Sequence, residues 1–291
     1  MRTRSTTWSL LLAVAVVLAF SAACWAQVTQ YDEDQRMNME SHIGKLTGHA
    51  KDGAPLYKRF CIGCHGPIGD GEGENAQWID PKPRNFTLGI FKCRSTPTGT
   101  LPTDEDLYNT IGRGLVSSNM PRWFPLTDQD RADLIAYVKH FSPRFAKEKP
   151  GPVLEIPPEP PVTAERVQAG QQVFKRVECW KCHGVEGRAN GPSSDTLTDD
   201  FNRPIKPFNF HDETRFKCGE TDRDLYRIFM TGLDGTPMPS FGDNIKPDEA
   251  WDLVMYLRSL QPMNTPEKAI AKKLGLKPIN PNAPAAQSET K

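Results

Sequence analysis

Residues 53–66 read GAPLYKRFCIGCHG, and residues 170–184 read GQQVFKRVECWKCHG. Both stretches end in Cys-x-x-Cys-His-Gly, and both place an aromatic residue and a Lys-Arg pair before it. Further blocks recur downstream in the same order: KPRNF is matched by KPFNF, and DLYNTIGRGLVSSNMP is matched by DLYRIFMTGLDGTPMP. Matched blocks that keep one order indicate a tandem duplication.

The duplication divides the 291-residue chain into two predicted domains, residues 51–145 and 163–263. A chain of this length can form two compact units, because single domains mostly contain ~100 to 200 residues. The predicted linker, residues 146–162, is rich in proline, so we expect an extended spacer or a strap laid across a surface. The polar flanks, residues 27–50 and 264–291, are expected to be mobile unless they dock.

A secretory signal peptide is predicted for residues 1–26. Arg2 and Arg4 precede an apolar run at residues 10–20, and small residues follow it. This run is shorter than the ~20 residues that span a bilayer, which argues against an uncleaved anchor. A lipid on Cys24 is the other alternative. We therefore predict export to the periplasm.

The charge balance argues against nucleic acid as a partner. Removal of the leader takes away two arginines and leaves 34 basic and 36 acidic residues. The remaining chain is mildly acidic and has no basic block of the kind that binds phosphate backbones.

The apolar periodicity predicts an all-α fold built from two small helical domains. Leu134, Tyr137 and Val138 lie on one helical stripe, and Leu253 and Tyr256 begin the matching stripe of the second copy. Strand patterns are absent from the sequence. Long loops rich in Gly and Pro separate the helices, and in a small domain such loops are expected only where they wrap something large.

The Cys-x-x-Cys-His motif is the attachment pattern of covalent c-type haem. Two residues between the thiols present both sulfurs to the vinyl groups on one edge of the porphyrin, and the next residue, His65 or His183, points its imidazole at the iron. The thiols predicted to attach two haem c groups belong to Cys61, Cys64, Cys179 and Cys182. A zinc knuckle or a redox pair is the alternative for a single motif, but export and a complete second copy favour haem.

Two methionines are candidates for the second axial ligand. Met120 and Met238 each precede a proline, and each follows an aligned tyrosine by twelve residues. Met120 is the only methionine between Cys61 and residue 145, whereas the rivals of Met238 have no counterpart in the first copy. A histidine of the N-terminal flank, His42 or His49, is the alternative ligand.

With these motifs the chain resembles the class I cytochrome c family, taken twice. The resemblance implies a fold in which an N-terminal and a C-terminal helix cross closely in each domain. It implies that Gly53 and Tyr57 meet Tyr137, and that the second copy makes the matching contact through glycine and aromatic residues of its own: Gly170, Phe174 and Tyr256.

The family also commonly places a proline after the haem motif, whose carbonyl oxygen accepts the proton on the far nitrogen of the axial histidine. Pro192 fits this role in the second domain. The aligned residue of the first domain is Glu74, which departs from the pattern and leaves the orientation of His65 less assured.

Two cysteines lie outside both the leader and the haem motifs, Cys93 in GIFKCRSTP and Cys218 in TRFKCGETD. They occupy equivalent places in the two copies, and equivalent places can face each other across a pseudo-two-fold axis. We predict a Cys93–Cys218 disulfide that joins the domains in an oxidising compartment. Two buried free thiols, an iron ligand and an intermolecular bridge are the alternatives.

The predicted function is a periplasmic dihaem cytochrome that transfers single electrons between redox protein partners. It would act free or as the haem subunit of a larger membrane-associated or periplasmic oxidoreductase. The alternatives are a dihaem enzyme of the peroxidase or thiosulfate dehydrogenase type, and a structural subunit. Both copies keep the Met-Pro loop and neither sets apart an acid-base cluster, so no catalytic residue is assigned.

Overall fold

The computed structural model describes residues 35–212 and 215–282. The predicted signal peptide and Cys24 lie outside these residues. Within the described part of the chain, no helix is long and apolar enough to cross a membrane.

The described chain is mostly helical, as predicted. The first half comprises strands β1 and β2, a 3-10 turn and helices α1 to α5: β1 (Glu40–Ile43), β2 (Leu46–His49), α1 (Ala50–Phe60), α2 (Ile62–His65), the 3-10 turn (Ala76–Trp78), α3 (Asp104–Arg113), α4 (Asp128–His140) and α5 (Arg144–Lys147). The second half comprises helices α6 to α10: α6 (Ala164–Arg176), α7 (Trp180–His183), α8 (Asp222–Thr231), α9 (Pro247–Leu260) and α10 (Pro266–Leu274).

Threonine caps fix where the helices of the DLY blocks begin. In α3 the Thr103 side chain accepts the backbone N–H of Asp106, whose carboxylate accepts the Thr103 N–H in return. Thr221 and Asp224 form the same capping box at the start of α8. Such reciprocal caps satisfy two backbone donors that a helix end leaves unpaired, so both DLY helices start in the same register.

The helix crossing of each domain depends on a glycine. A Cβ atom on Gly53 of α1 would lie 2.1 Å from the carbonyl oxygen of Asp133 on α4, and one on Gly170 of α6 would lie 1.9 Å from that of Asp252 on α9. No other residue allows this backbone approach. The close crossing that the family resemblance implied is confirmed in both domains.

Aromatic pairs pack beside these glycines. The ring centroids of Tyr57 and Tyr137 are 5.2 Å apart, and those of Phe174 and Tyr256 are 5.4 Å apart. The Tyr57 hydroxyl also donates to the carbonyl oxygen of Gly66, at 2.7 Å, and so ties α1 to the turn after the haem motif.

The expectation of an N-terminal flank without strands was wrong. β1 and β2 form an antiparallel hairpin that packs on α4. The Ser41 hydroxyl donates to the carbonyl oxygen of Ala132 at 2.7 Å, and a Cβ atom on Gly48 would lie 2.2 Å from the same carbonyl. Each strand has four residues, too few for an alternating pattern to show in the sequence.

The C-terminal flank also docks on its domain. Helix α10 packs against α6 and α9. The Gln171 side chain donates to the carbonyl oxygen of Lys277 at 2.7 Å, and Ile279 is buried in the core of the second domain. The described part of the tail is therefore a fixed element of the fold.

The proline-rich linker contacts both halves of the molecule. The Leu154 N–H donates to the carbonyl oxygen of Ser95 at 2.7 Å, and the Trp251 indole donates to that of Pro157 at 3.3 Å. The linker is thus a strap from the first domain to the second, which is one of the two forms that its composition predicts.

A disulfide and a buried ion pair join the domains. Cys93 is bonded to Cys218, with 5.2 Å between their Cα atoms. The next residue, Arg94, has a fully buried side chain that donates to the carbonyl oxygen of Thr231 at 2.5 Å and lies 2.7 Å from the Asp234 carboxylate. A buried charge needs such a partner, because an isolated one costs several kcal/mol.

Candidate haem sites

The first domain contains a cavity of about 1310 Å³, counted with the solvent at its mouth. Four predicted site residues line it together: Cys61, Cys64, His65 and Met120. Its walls are mainly apolar and include Tyr57, Leu107, Ile111, Trp123, Leu134 and Val138. The haem motif and the Met-Pro loop line the same apolar space, as the binding of a flat apolar group such as a porphyrin requires.

His65 is held by a backbone carbonyl. Its Nδ1 atom lies 3.0 Å from the carbonyl oxygen of Arg84, and its ring stacks on Phe86 with 4.4 Å between centroids. A carbonyl only accepts, so Nδ1 carries the proton and Nε2 keeps a free lone pair for a metal. Burial lowers the pKa of His65, which keeps the imidazole neutral.

His183 repeats this arrangement in the second domain. Its Nδ1 atom lies 2.9 Å from the carbonyl oxygen of Phe208, and its ring centroid is 5.1 Å from that of Phe210. Burial lowers the pKa of His183 as well. Arg84 and Phe208 are the third residues of the KPRNF and KPFNF blocks, so the duplicated sequence supplies the same backbone acceptor twice.

The prediction that Pro192 supplies the acceptor in the second domain was wrong, and its aligned residue Glu74 does not supply it in the first. The chain before each of them folds back onto the haem motif: the Gly73 N–H donates to the carbonyl oxygen of Cys64 at 3.2 Å, and that of Gly191 donates to Cys182 at 3.1 Å. The KPxNF segment, further along the chain, supplies the acceptor for each histidine instead. Its recurrence was visible in the sequence, but a backbone carbonyl leaves no side-chain signature.

The two Met-Pro loops have the same backbone hydrogen bonds. The Met120 carbonyl accepts the Leu115 N–H, and the Met238 carbonyl accepts the Leu233 N–H, each at 3.1 Å. The Met120 N–H donates to a serine hydroxyl, and the Met238 N–H donates to a threonine hydroxyl. The hydrogen bonds therefore hold both methionines in one register.

A glycine makes room for each Met-Pro loop. Gly114 has φ of 67°, and a Cβ atom there would lie 2.6 Å from the Pro121 carbonyl carbon. Gly232 has φ of 71°, and a Cβ atom there would lie 2.7 Å from the Ser240 nitrogen. Positive φ and backbone contact both require glycine at these positions.

The second site is assembled around an apolar cluster. Cys179 and Met238 pack, partly buried, against the core that contains Phe210, the ring beside His183. Burial raises the pKa of Cys179 to about 12. It raises the pKa of Cys61 to about 12 as well, with a smaller contribution from Cys64. These thiols are uncharged in the folded chain.

The other ligand candidates lie elsewhere. His42 and His49 belong to the hairpin, where their imidazole nitrogens are 3.7 Å and 3.5 Å from the Glu40 carboxylate. The sulfurs of Cys93 and Cys218 are bonded to each other, so neither is a thiolate. Among the described residues, no group of three or more His, Cys, Asp or Glu residues could hold a metal ion by itself.

The geometry fits haem c, since an apolar cavity, two thiols, a free imidazole nitrogen and a thioether converge in the first domain. In agreement with this, the cytochrome c family model matches twice, at residues 50–142 and 167–261. The chain belongs to the cytochrome c family, contains two cytochrome c domains and binds haem c covalently.

A solved structure matches most of the chain. It is a chain of the reducing HAO-like protein complex Kustc0457/Kustc0458 from Kuenenia stuttgartiensis, and it is 45% identical to this protein with a TM-score of 0.70. The match covers 72% of this chain and 96% of the Kuenenia chain. No curated protein matches the sequence.

Proposed function

We propose that this protein is a periplasmic dihaem cytochrome that transfers single electrons and performs no catalysis of its own. The observation that carries the proposal is the retention of both Met-Pro loops with the same hydrogen bonds, beside two histidines oriented in the same way. A site with an imidazole and a thioether supplied by the protein has no position left for a substrate.

Each side chain has one task in this proposal. Cys61 and Cys64 anchor the cofactor, His65 presents Nε2, and Met120 presents its thioether from the opposite loop; Cys179, Cys182, His183 and Met238 do the same in the second domain. Haem c supplies a one-electron carrier whose potential methionine ligation raises. The apolar walls exclude water.

The cysteine pair bears on the enzymatic alternative. A thiosulfate dehydrogenase of the dihaem type would need a cysteine thiolate at its active haem, but Cys93 and Cys218 are joined to each other. A peroxidase would need one site without a sixth ligand, and the two methionine loops do not differ in their hydrogen bonds. Both observations favour the electron carrier.

The similar Kuenenia chain comes from a reducing HAO-like protein complex. This origin supports a role for the present protein as the electron-transfer subunit beside an HAO-like redox partner. Trp78 and Phe124 are 79% and 84% exposed, and each adjoins a residue that lines the first cavity, Ile79 or Trp123. We propose that the partner contacts this rim. The rim residues Trp78 and Phe124 are aromatic and uncharged, so we do not propose nucleic acid as the partner.

Absorption spectroscopy of the purified protein tests the proposed function. We expect two covalent haems per chain and a weak long-wavelength band from sulfur-to-iron charge transfer at both sites. A high-spin signal or turnover of peroxide would replace the carrier with an enzyme. Co-purification with an HAO-like protein, lost in Phe124→Ser and kept in the exposed-lysine variant Lys58→Gln, tests the partner contact.

A further inference from the structure

Four cationic residues line the mainly apolar cavity of the first domain. The ammonium of one of them, Lys82, donates to the carbonyl oxygen of Ala76 at 2.6 Å. The other three are Arg84, Lys92 and Lys217. Arg84 and Lys92 come from the first domain, and Lys217 comes from the second. Burial, with Arg84 and Lys217 adding to it, lowers the pKa of Lys92 to about 8, so the three charges are close enough to repel one another. Cations gathered in an apolar wall are costly unless an anion binds them.

Within the described residues, no carboxylate side chain pairs directly with Arg84 or Lys92. Among the residues that the structure describes, neither the Arg84 guanidinium nor the Lys92 ammonium forms a salt bridge. Asp199 and Asp200 of the second domain act on both groups only through longer-range attraction. The cavity therefore offers a site for carboxylates that the protein itself does not supply.

The disulfide explains how the second domain reaches this site. Lys217 precedes Cys218, Lys92 precedes Cys93, and Cys93 itself lines the cavity. Bonding of the two cysteines brings both Phe-Lys-Cys copies to one place, and the Lys217 ammonium lies 3.5 Å from the carbonyl oxygen of Ser117, in the loop that leads to Met120. A domain-two cation thus completes a domain-one site.

Two features of the duplicated segments place positive charge at the first haem site. The residue that corresponds to Arg84 in the second domain is Phe208, which is apolar, and both lysines of the Phe-Lys-Cys copies interact near the first site. The duplication repeats the lysine as well as the ligands, but the disulfide brings both copies of the lysine, Lys92 and Lys217, to the first site.

We propose that Arg84, Lys92 and Lys217 bind the propionate carboxylates of the domain-one haem, and that the second domain thereby completes this site and sets its reduction potential. The inference rests on the proposed attachment of a haem in each domain. Positive charge beside a haem disfavours its oxidised form, because that form carries one more positive charge. The three cations therefore raise the potential of the domain-one haem.

Potentiometric titration of the intact holoprotein, followed by absorption, tests the proposal. Lys217→Gln should shift the domain-one potential downward and leave the domain-two potential in place. Lys217→Arg, which keeps the charge, should hold the wild-type potential. Lys58→Gln removes an exposed lysine of the same domain and should change neither potential. The domain-one haem is identified by the shift that Met120→His causes.

Infrared difference spectra of oxidised and reduced protein add a readout of the carboxylates themselves. The propionate bands should move in Lys217→Gln and Lys92→Gln but not in Lys58→Gln. Equal shifts of the two haem potentials in Lys217→Gln, or no shift of either, would overturn the proposal. It would also be overturned if the infrared bands disappeared in Asp199→Asn, because they would then belong to the Asp199 carboxylate and not to a propionate.

If Lys217→Gln fails to mature, Lys92→Gln is the second test, since it removes a charge of the same site from the first domain and should lower the domain-one potential. An unchanged potential would count against the site. Peroxide turnover or a high-spin haem would instead refute the proposed electron-transfer function. The reduction potentials of the lysine variants would still test the cation site, so the two failures can be distinguished.

Discussion

The carbonyl oxygen of Arg84 lies 3.0 Å from Nδ1 of His65, and the guanidinium of the same arginine reaches the second domain, where a Cβ atom on Gly235 would lie 2.6 Å from Nη1. One residue thus orients the histidine through its backbone and contacts the other domain through its side chain. The histidine is held by a segment that is itself fixed by the domain interface.

The Met120→His substitution tests the ligand assignment. An imidazole in place of the thioether should lower the potential of the domain-one haem and remove half of the long-wavelength charge-transfer band, because methionine ligation raises the potential. Spectra and potentiometry of the purified protein provide the measurement. Met263→Leu changes a partly exposed methionine that lies outside the loop and should leave both quantities unchanged.

The Cys93→Ser, Cys218→Ser double substitution tests the contribution of the disulfide to stability. The bond joins positions 125 residues apart, and closure of so long a loop is worth about 5 kcal/mol in the chain-entropy account. We expect a loss of that order in denaturant unfolding. The Arg94–Asp234 pair should still hold the domains together in the folded protein.

The control for this experiment is a reducing agent. It should destabilise the wild-type protein and have no effect on the double variant. Equal stability of the two proteins in oxidising buffer would contradict the prediction.

The pH dependence of the domain-one potential tests the charge of Lys92. Burial lowers its pKa to about 8, well below that of a free lysine, and bound carboxylates would raise the value again. The ammonium is charged below its pKa and neutral above it. The domain-one potential should therefore fall as the pH rises through the range from about 8 upward.

Potentiometry at a series of pH values measures this step. Lys92→Gln should abolish the pH-dependent fall of the domain-one potential. At every pH the variant should have the potential that the wild-type protein reaches at high pH. The charged groups that face Lys92 are Arg84, Lys217, Asp199 and Asp200. A step that persists in Lys92→Gln would assign the titration to another group.

Much of the fold could be predicted because the duplication marks it. Each helix of the DLY blocks begins at a threonine with an aspartate three residues later, and the glycines of the crossing, Gly53 and Gly170, stand at matching places. The placement of Cys93 against Cys218 also follows from equivalent positions in two copies.

The missed features have no such local marker. The acceptors of the histidine protons are backbone carbonyls of Arg84 and Phe208, which any residue type could supply. Lys217 lines the first cavity because of the way in which the two domains pack together. The spacing of residues along the chain does not indicate this position. The hairpin is recognised only by its contacts with α4, since its strands are too short to set a pattern.

The Gly170→Ala substitution tests the helix crossing on which the second domain depends. A Cβ atom would lie 1.9 Å from the Asp252 carbonyl oxygen, and backbone cannot move aside as a flexible side chain can. Overpacking of this kind typically costs about 1 to 3 kcal/mol or more. We expect a loss of at least that size in chemical unfolding, and weaker incorporation of haem in the second domain. Gln172→Ala, at an exposed position of the same helix, is the control and should change the stability little. Equal stability of the Gly170→Ala and Gln172→Ala variants would show that α6 and α9 do not cross this closely.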